Sequence, residues 1–355
     1  MPNMEVADSM IKDNEIPVVD LSHMGSVMSP VKPWVKKAAK QLERALSHRG
    51  LALIVNHGIS EQKLQAVYRA MKKFCELSEV TKSKYEIKPN AENHGYVSPG
   101  IEKFAREKSE EVRHAFNVLS FEKKLPDEEL PGFRDSVSYV ADEMRRVAHI
   151  VLQIMAVGLD LDPNLFLNKH QNMLKEGNVT TLRVLHYPPM GDRLIPGQMR
   201  CGEHTDYGSF TLLVQDSEGG LEVSVNGKWK RVGHLPGAIL INIGDLMDKW
   251  TSGKFPAVRH RVVVPEQKTI RLRGRNSIAF FVHPENDTII DPAETVAAPI
   301  LANEAEPPPK RELTLITAYQ HFQERLRESR IFRLLRTLRK RLYSQRAVPA
   351  SVAPS

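Results

Sequence analysis

Three residues in the second half of the chain, His204, Asp206 and His260, have side chains and spacing suited to a metal site. Residues two apart in a β-strand point to the same side, so His204 and Asp206 could bind one ion without distorting the backbone. His260 precedes an apolar strand 54 positions after Asp206. Two imidazoles and one carboxylate leave open positions on the metal. This favours a non-haem Fe(II) oxygenase over a structural zinc site, which is closed and usually rich in thiolates.

Two other interpretations of the metal site compete with this one. Cys201 is a soft ligand three positions before His204, but in a regular strand its parity turns it away from His204 and Asp206. A hydrolytic zinc enzyme would use the same three residues as the iron site. The residue types alone therefore leave catalytic zinc as the chemical competitor of iron.

A second polar pair, Arg275 and Ser277, begins 15 positions after His260. The two residues share one face of a predicted strand, so both are expected to face the same interior as the metal. A planar guanidinium fork beside a hydroxyl is well suited to bind a carboxylate. The alternative is an arginine at a strand end that pairs with a surface acid.

From about residue 178, the segments that must position these residues have a sequence pattern typical of β-strands. Short runs rich in β-branched and aromatic residues are separated by Gly, Pro, Asn and Asp. This pattern is typical of an antiparallel sandwich or barrel. Asn226-Gly227 predicts a two-residue hairpin, because both residues tolerate the positive φ of a type I′ turn.

The first half of the chain is predicted to be mainly helical, with a few strands. Residues 16–22 and 51–58 have the composition of strands. Apolar residues three and four apart predict helices over 31–48, 61–77 and 136–159, and a short helix or turn over 162–175. Gly50 is expected to cap the first helix.

Length and composition indicate a globular protein. The chain has 355 residues, of which 41% are hydrophobic and 26% charged, which argues against a disordered or fibrous protein. It has two cysteines, Cys75 and Cys201, too few for a disulfide framework. The sequence shows neither a signal peptide nor an apolar run long enough to span a bilayer. We therefore predict a soluble, cytoplasmic protein.

The net charge of +7 is concentrated near the end of the chain, where residues 325–346 carry eight arginines and a lysine. A basic helix of this kind could contact nucleic acid or anionic lipid. No nucleic-acid module accompanies the charge, so we favour a helix with a solvated basic face and an apolar face packed inward. Nucleic acid is not predicted as a partner, and the sequence does not indicate the oligomeric state.

The motifs together resemble the iron and 2-oxoglutarate dioxygenase superfamily, in the branch that contains isopenicillin N synthase and the plant flavonoid, gibberellin and aminocyclopropane-carboxylate oxidases. The resemblance covers about residues 15–285. It is carried by the segments IPVVDLS, HRGLALIVNHGI, LRVLHYPP, HTDYGSFTLLVQD, GDLMDKWTSGKFPAVRHRVVV and RNSIAFF. The order and spacing of His-x-Asp, His and Arg-x-Ser make the resemblance highly specific.

The resemblance implies an α+β fold with a double-stranded β-helix (jelly-roll) core, flanked by N-terminal helices and a C-terminal helix. We accordingly divide the chain into three regions. They are an N-terminal, mainly helical region (1–177), the jelly-roll core (178–290), and a Pro-rich connection with the C-terminal basic helix and tail (291–355).

The resemblance also implies the chemistry. His204, Asp206 and His260 would bind Fe(II), and Arg275 and Ser277 would bind the distal carboxylate of 2-oxoglutarate, with Tyr187 adding a hydrogen bond. The enzyme would use molecular oxygen to hydroxylate, desaturate or cyclise a small organic molecule while 2-oxoglutarate is converted to succinate. Ascorbate would serve as an accessory reductant.

The region that lines the substrate mouth in relatives corresponds to residues 94–117. The predicted substrate contacts are Tyr96, Arg113, His114 and Phe116, and ordinary packing is the alternative for each. Two other functions compete with the leading one. An iron oxidase of the same fold would not consume 2-oxoglutarate, and a non-catalytic binding protein would be expected to have a damaged metal set.

Overall fold

The structure is a computed structural model that describes residues 16–24, 32–88, 92–101, 111–191, 198–295 and 315–327. Residues 296–314 of the predicted Pro-rich connection, which include its PPP at 307–309, lie outside the described residues. So do the basic run beyond residue 327 and the last ten residues.

The predicted helices of the first half are confirmed, with ends that differ by up to three residues. The described helices are α1 (Pro33–Arg49), α2 (Glu61–Glu76), α3 (Glu79–Ser83), α4 (Phe133–Gly158), α5 (Asp245–Trp250) and α6 (Lys268–Arg271), and residues 318–327 are also helical. The prediction over 162–175 corresponds to a 3₁₀ turn at Leu167–Lys169. Gly50 caps α1 with a φ of 65°, and its N–H donates to the carbonyl of Leu46 at 2.8 Å. None of the helices in the described part of the chain combines the length and apolar character needed to cross a bilayer.

The strands form two main sheets. In chain order they are β1 (Val18–Asp20), β2 (Leu51–Val55), β3 (Gly95–Val97), β4 (His114–Val118), β5 (Thr181–Tyr187), β6 (Met199–His204), β7 (Phe210–Gln215), β8 (Leu221–Val225), β9 (Lys228–Arg231), β10 (Ile239–Ile243), β11 (His260–Val263), β12 (Arg275–Val282), β13 (Ile289–Ile290) and β14 (Ile316–Thr317). The large sheet has the order β1-β2-β10-β7-β12-β5-β4-β3, and the small sheet has the order β6-β11-β8-β9. β1 and β2 are parallel, and the other strand pairs in these sheets are antiparallel.

The predicted hairpin joins β8 to β9. Asn226 has a φ of 51° and Gly227 a φ of 75°, as a type I′ turn requires.

Side-chain alternation gives the large sheet two different faces. On β12, Ile278, Phe280 and Val282 belong to the core that the sheet shares with the helices, including α4. Burying one such side chain contributes roughly 1.5–3 kcal/mol. The alternate residues of β12, from Arg275 to Phe281, face a cavity between the two sheets. The helices therefore back the wall that presents the polar residues.

The cavity is lined by residues of both sheets, such as Leu213 of β7 and Val262 of β11. The two sheets remain separate rather than closing into a barrel. This arrangement confirms the predicted α+β fold with a jelly-roll core. Strands from the first half of the chain extend the large sheet, because β2 pairs with β10 and β4 pairs with β5.

A buried histidine ties the segment after α4 to the loop that follows β6. The Nδ1 of His170 lies 2.7 Å from the carbonyl oxygen of Phe166, which can only accept, so Nδ1 carries the proton. The Nε2 then accepts from the hydroxyl of Ser209 at 2.9 Å. Burial lowers the pKa of His170 to about 4. The folded protein therefore holds this imidazole neutral at neutral pH.

This burial predicts an acid-dependent loss of stability. The unfolded state takes up the proton near pH 6.5 and the folded state only near pH 4. The contribution is therefore complete above pH 6.5 and is lost as the pH falls toward 4. Its size is on the order of 3 kcal/mol. We expect the urea midpoint of His170→Gln, followed by circular dichroism, to fall less than that of the wild type between pH 7.5 and pH 5. His234→Gln, at an exposed position, is the control. Parallel losses in wild type and His170→Gln would contradict the prediction.

Candidate active site

The structure brings His204, Asp206 and His260 together at one end of the small sheet. β6 ends at His204, β11 begins at His260, and these two residues are paired across the strands. Asp206 lies in the loop just after β6. The Nε2 atoms of both histidines lie 3.7 Å from the Oδ1 of Asp206. One potential ligand atom from each residue lies within 4.8 Å of the others.

Backbone carbonyls orient both imidazoles. The Nδ1 of His204 donates to the carbonyl of Gly202 at 2.8 Å, and the Nδ1 of His260 donates to that of Val258 at 2.9 Å. Because the proton is held on Nδ1, Nε2 keeps its lone pair and faces Asp206. Burial, followed by the neighbouring His204, lowers the pKa of His260. The ring is therefore in the neutral form that binds metals.

The carboxylate of Asp206 is held by side chains of the large sheet. Its Oδ2 accepts from the hydroxyl of Thr211 at 2.6 Å and from the amide of Asn242 at 2.7 Å, so Oδ1 is directed to the histidines. Burial alone would raise the pKa of Asp206, but His260, His204 and the two hydrogen bonds hold it below the usual value. The Nε2 atoms of two imidazoles and one carboxylate therefore converge as preformed donors, a set that fits Fe(II).

The hydrogen bonds to Asp206 predict that the residues that donate them also influence the affinity for the metal. Replacing Asn242 by leucine removes one bond and frees the carboxylate to rotate. We expect Fe(II) to bind about 10- to 100-fold more weakly, measured by anaerobic competition with a chelator. Thr181→Val removes a buried hydroxyl of β5 that bonds to the backbone of Val179, and it serves as the control. Equal affinities for Asn242→Leu and the control would contradict the prediction.

Arg275 and Ser277 face the same cavity, as their spacing predicted. The Nη1 of Arg275 donates to Ser277 Oγ at 3.1 Å, and its Nη2 donates to Gln215 Oε1 at 3.1 Å. Tyr187 lies opposite Arg275 in the β5–β12 pair, with its ring centroid 4.9 Å from the guanidinium carbon. Among the described residues, the Nε of Arg275 has no hydrogen-bond partner. A buried guanidinium is thus held in place with capacity left for an anion.

The cavity contains both polar groups, and its remaining walls are largely apolar, including Leu213, Val262 and Phe281. Two further arginines line it. Arg113 forms an ion pair with Glu111 at 2.9 Å, and the Nε of Arg183 donates to Asn117 at 2.7 Å. The three potential metal ligands and several guanidinium groups therefore line one cavity.

The predicted substrate contacts divide between two environments. Arg113 lines the cavity, whereas Tyr96 and Phe116 belong to the core on the helix side of the large sheet. The hydroxyl of Tyr96 lies 2.6 Å from the Nδ1 of His114, and the two rings stack. The sequence analysis did not identify Arg183 as a cavity residue, although its spacing from Tyr187 along β5 indicated that the two share a face.

The prediction that strand parity turns Cys201 away was wrong. Cys201 lines the cavity, because the pairing of β6 with β11 shifts register between His204 and Cys201. The extra residue in β6 reverses the alternation. The sulfur lies 3.9 Å from the Nδ1 of His204, the nitrogen that faces away from Asp206, so Cys201 stays outside the ligand cluster.

The beginning of the predicted C-terminal helix packs against the loop that carries Asp206. Residues 318–327 are helical. Arg325 pairs with Asp245 at 2.8 Å and donates to the hydroxyl of Thr205 at 3.2 Å. Its guanidinium also lies 5.0 Å from the ring centroid of Tyr207. At least one basic residue of this helix therefore forms contacts within the protein instead of extending into solvent.

Comparisons with known proteins agree with this site. A family model described as the 2OG-Fe(II) oxygenase superfamily matches residues 178–284. A second model, for the N-terminal region of non-haem dioxygenases in morphine synthesis, matches residues 16–135.

The 2-oxoglutarate-Fe(II) type oxidoreductase ppzD of Metarhizium rileyi is 31% identical over 310 residues, which cover 81% of this chain and 84% of that protein. The 2-oxoglutarate-dependent dioxygenase htyE of Aspergillus rugulosus is 31% identical over 276 residues, covering 69% and 81%. The crystal structure of a Neurospora crassa protein in complex with alpha-KG and thymine has a TM-score of 0.76 at 25% identity, and the match covers 91% of this chain and 98% of that one. The chain therefore belongs to the 2OG-Fe(II) oxygenase superfamily, and it is a dioxygenase that uses Fe(II) and 2-oxoglutarate.

Proposed function

We propose that His204, Asp206 and His260 bind the Fe(II), and that Arg275, Ser277 and Tyr187 bind the distal carboxylate of 2-oxoglutarate. The observation that carries this proposal is the presence of both groups in one cavity. A flexible keto acid can contact both only if they line a common space.

Each side chain has a definable task in this proposal. When bound, Fe(II) supplies the activation of molecular oxygen that couples decarboxylation of the keto acid to oxidation of the substrate. The carbonyls of Gly202 and Val258 hold the two imidazoles, while Thr211 and Asn242 hold the carboxylate. The apolar wall limits the entry of water, which protects the reaction from side products.

We propose a small organic molecule as the substrate, oxidised by hydroxylation, desaturation or ring closure. Similar proteins support this class: the Neurospora crassa protein was solved with thymine, and gibberellin 20 oxidase 3 of Arabidopsis thaliana is 25% identical to this chain. Arg113 and Arg183 on the cavity wall favour a substrate that carries a carboxylate or several hydrogen-bond acceptors.

The division into regions 1–177, 178–290 and 291–355 remains a proposal, supported by separate family matches to residues 16–135 and 178–284. We also propose that the protein acts in the cytoplasm. The chain has only two cysteines, too few for a disulfide framework, as expected in a reducing compartment.

Anaerobic titration followed by ultraviolet-visible absorption tests the proposed site. Adding Fe(II) and then 2-oxoglutarate should produce a weak charge-transfer band. Under air, oxidation of candidate acids and heterocycles should then be accompanied by conversion of 2-oxoglutarate to succinate in proportion to product. A band that needs no 2-oxoglutarate, or product formed without succinate, would contradict the proposal.

A further inference from the structure

Arg200 is a buried guanidinium with no role in the site described above. Its residue is 0% exposed. Among the described residues, none accepts a hydrogen bond from its Nε, Nη1 or Nη2. Such complete burial without hydrogen bonds is rare for a charged side chain and calls for a ligand or a specific charge partner.

A strand irregularity explains how Arg200 reaches the interior. Val262 pairs with Cys201 and the next residue, Val263, pairs with Met199. Arg200 is therefore the extra residue of a β-bulge, which leaves it outside the regular ladder. Bulges redirect side chains, and both Arg200 and its neighbour Cys201 are buried.

The side chain of Arg200 lies beside the proposed co-substrate site. Its guanidinium carbon is 5.8 Å from the ring centroid of Tyr187, and that of Arg275 is 4.9 Å from the same centroid. The two guanidinium carbons are thus at most 10.7 Å apart, the sum of these distances. Arg200 does not line the cavity itself, so it would act across Tyr187.

Arg200 remains a cation in this environment. Burial, and then the charge of Arg275, lower the pKa of Arg200 to about 10, still well above neutrality. The carboxylates of Asp216 and Glu218 offset part of this lowering. Neither is reserved for Arg200, since Asp216 accepts from the amide of Asn276 and Glu218 pairs with Arg273. Two buried cations within 6 Å of the centroid of one ring repel each other, and an anion bound beside them would relieve this repulsion.

We propose that Arg200 is a positioning and specificity residue for the co-substrate, whose charge acts with Arg275 across Tyr187 to favour 2-oxo acids with a distal carboxylate. The proposal rests on the proposed function, because it takes Arg275 as the carboxylate site. It assigns Arg200 to the preference for dicarboxylic over monocarboxylic 2-oxo acids.

Equilibrium binding tests the proposal without turnover. Calorimetric titrations of the full-length protein loaded with Mn(II) would use 2-oxoglutarate and 2-oxopentanoate, which lacks the distal carboxylate. We expect Arg200→Gln to weaken binding of 2-oxoglutarate by about tenfold and to leave 2-oxopentanoate unchanged. Arg200→Lys should restore most of the lost affinity. Arg200→Met provides a second neutral variant if Arg200→Gln does not fold, as checked by circular dichroism.

The outcomes separate this inference from the proposed function. Equal weakening for both keto acids, or a loss that Arg200→Lys does not reverse, would assign Arg200 to packing on Tyr187 and overturn the proposal. An unchanged affinity in the neutral variants would also overturn it, provided that Arg275→Gln weakens 2-oxoglutarate binding. If Arg275→Gln has no effect either, the proposed carboxylate site itself is wrong.

Discussion

Replacement of Asp206 by alanine is expected to abolish iron retention and turnover while the protein stays folded. Altering residues outside the ligand set typically lowers metal affinity 10- to 100-fold, so we expect the loss of a ligand to exceed about 100-fold. His204→Ala should have the same effect, because it removes one of the two Nε2 atoms that face Asp206.

The fold should survive the loss of Asp206 because the change is local. Alanine leaves the Thr211 hydroxyl and the Asn242 amide without their carboxylate, at a cost of about 1–3 kcal/mol for each unpaired group. A domain whose free energy of unfolding is about 5–15 kcal/mol stays folded when the loss is in the lower part of this range. Thermal unfolding checks this expectation directly.

The measurement is metal content after anaerobic reconstitution and gel filtration, together with succinate release. Glu203→Ala provides a matched control, since Glu203 directly precedes His204 but pairs with Arg259 rather than with the triad. We expect the control to retain iron. A folded Asp206→Ala protein with iron content equal to that of the control would show that the metal is bound elsewhere.

Replacement of Arg275 by glutamine is the second change with a large expected effect. It should raise the KM for 2-oxoglutarate on the order of 100-fold, because removing one partner of a buried charge pair costs about 2–5 kcal/mol. Arg275 is 1% exposed, so water cannot readily replace the lost guanidinium. The kcat at saturating co-substrate and the KM for the organic substrate should change much less.

Steady-state kinetics with each substrate varied in turn measures this difference. Arg273→Gln is the matched control, since Arg273 lies two positions earlier but is exposed and pairs with Glu218. We expect wild-type constants for the control. An unchanged KM for 2-oxoglutarate in Arg275→Gln would remove Arg275 from the co-substrate site.

Local sequence was sufficient to predict the residues that share a strand face. Arg275 and Ser277 lie two apart on β12 and face one cavity, because side chains alternate along any regular strand. The Asn226-Gly227 turn and the Gly50 helix cap were also predictable, since each depends on the conformational freedom of one or two residues. The same logic placed His204 beside Asp206, although Asp206 lies in the loop beyond the strand.

Local sequence patterns did not predict where the alternation of side chains along a strand is interrupted, or which face of a sheet the helices cover. The register shifts in β6 brought Cys201 to the cavity and buried Arg200, and no spacing in the sequence indicated either shift. Likewise, side-chain alternation indicates which residues of β3 share a face with Tyr96. It does not indicate which face of the large sheet the helices cover, because that depends on how the helices pack.

The sequence by itself determined which residues are proposed as metal donors and as the carboxylate-binding pair, because these assignments depend on residue types and on the two-residue period of a strand. Only the tertiary structure decided what supports them: Thr211 and Asn242 reach Asp206 from other elements of the chain. Such contacts arise from strand order and register between distant segments. These are properties of the assembled sheets, so no local spacing encodes them.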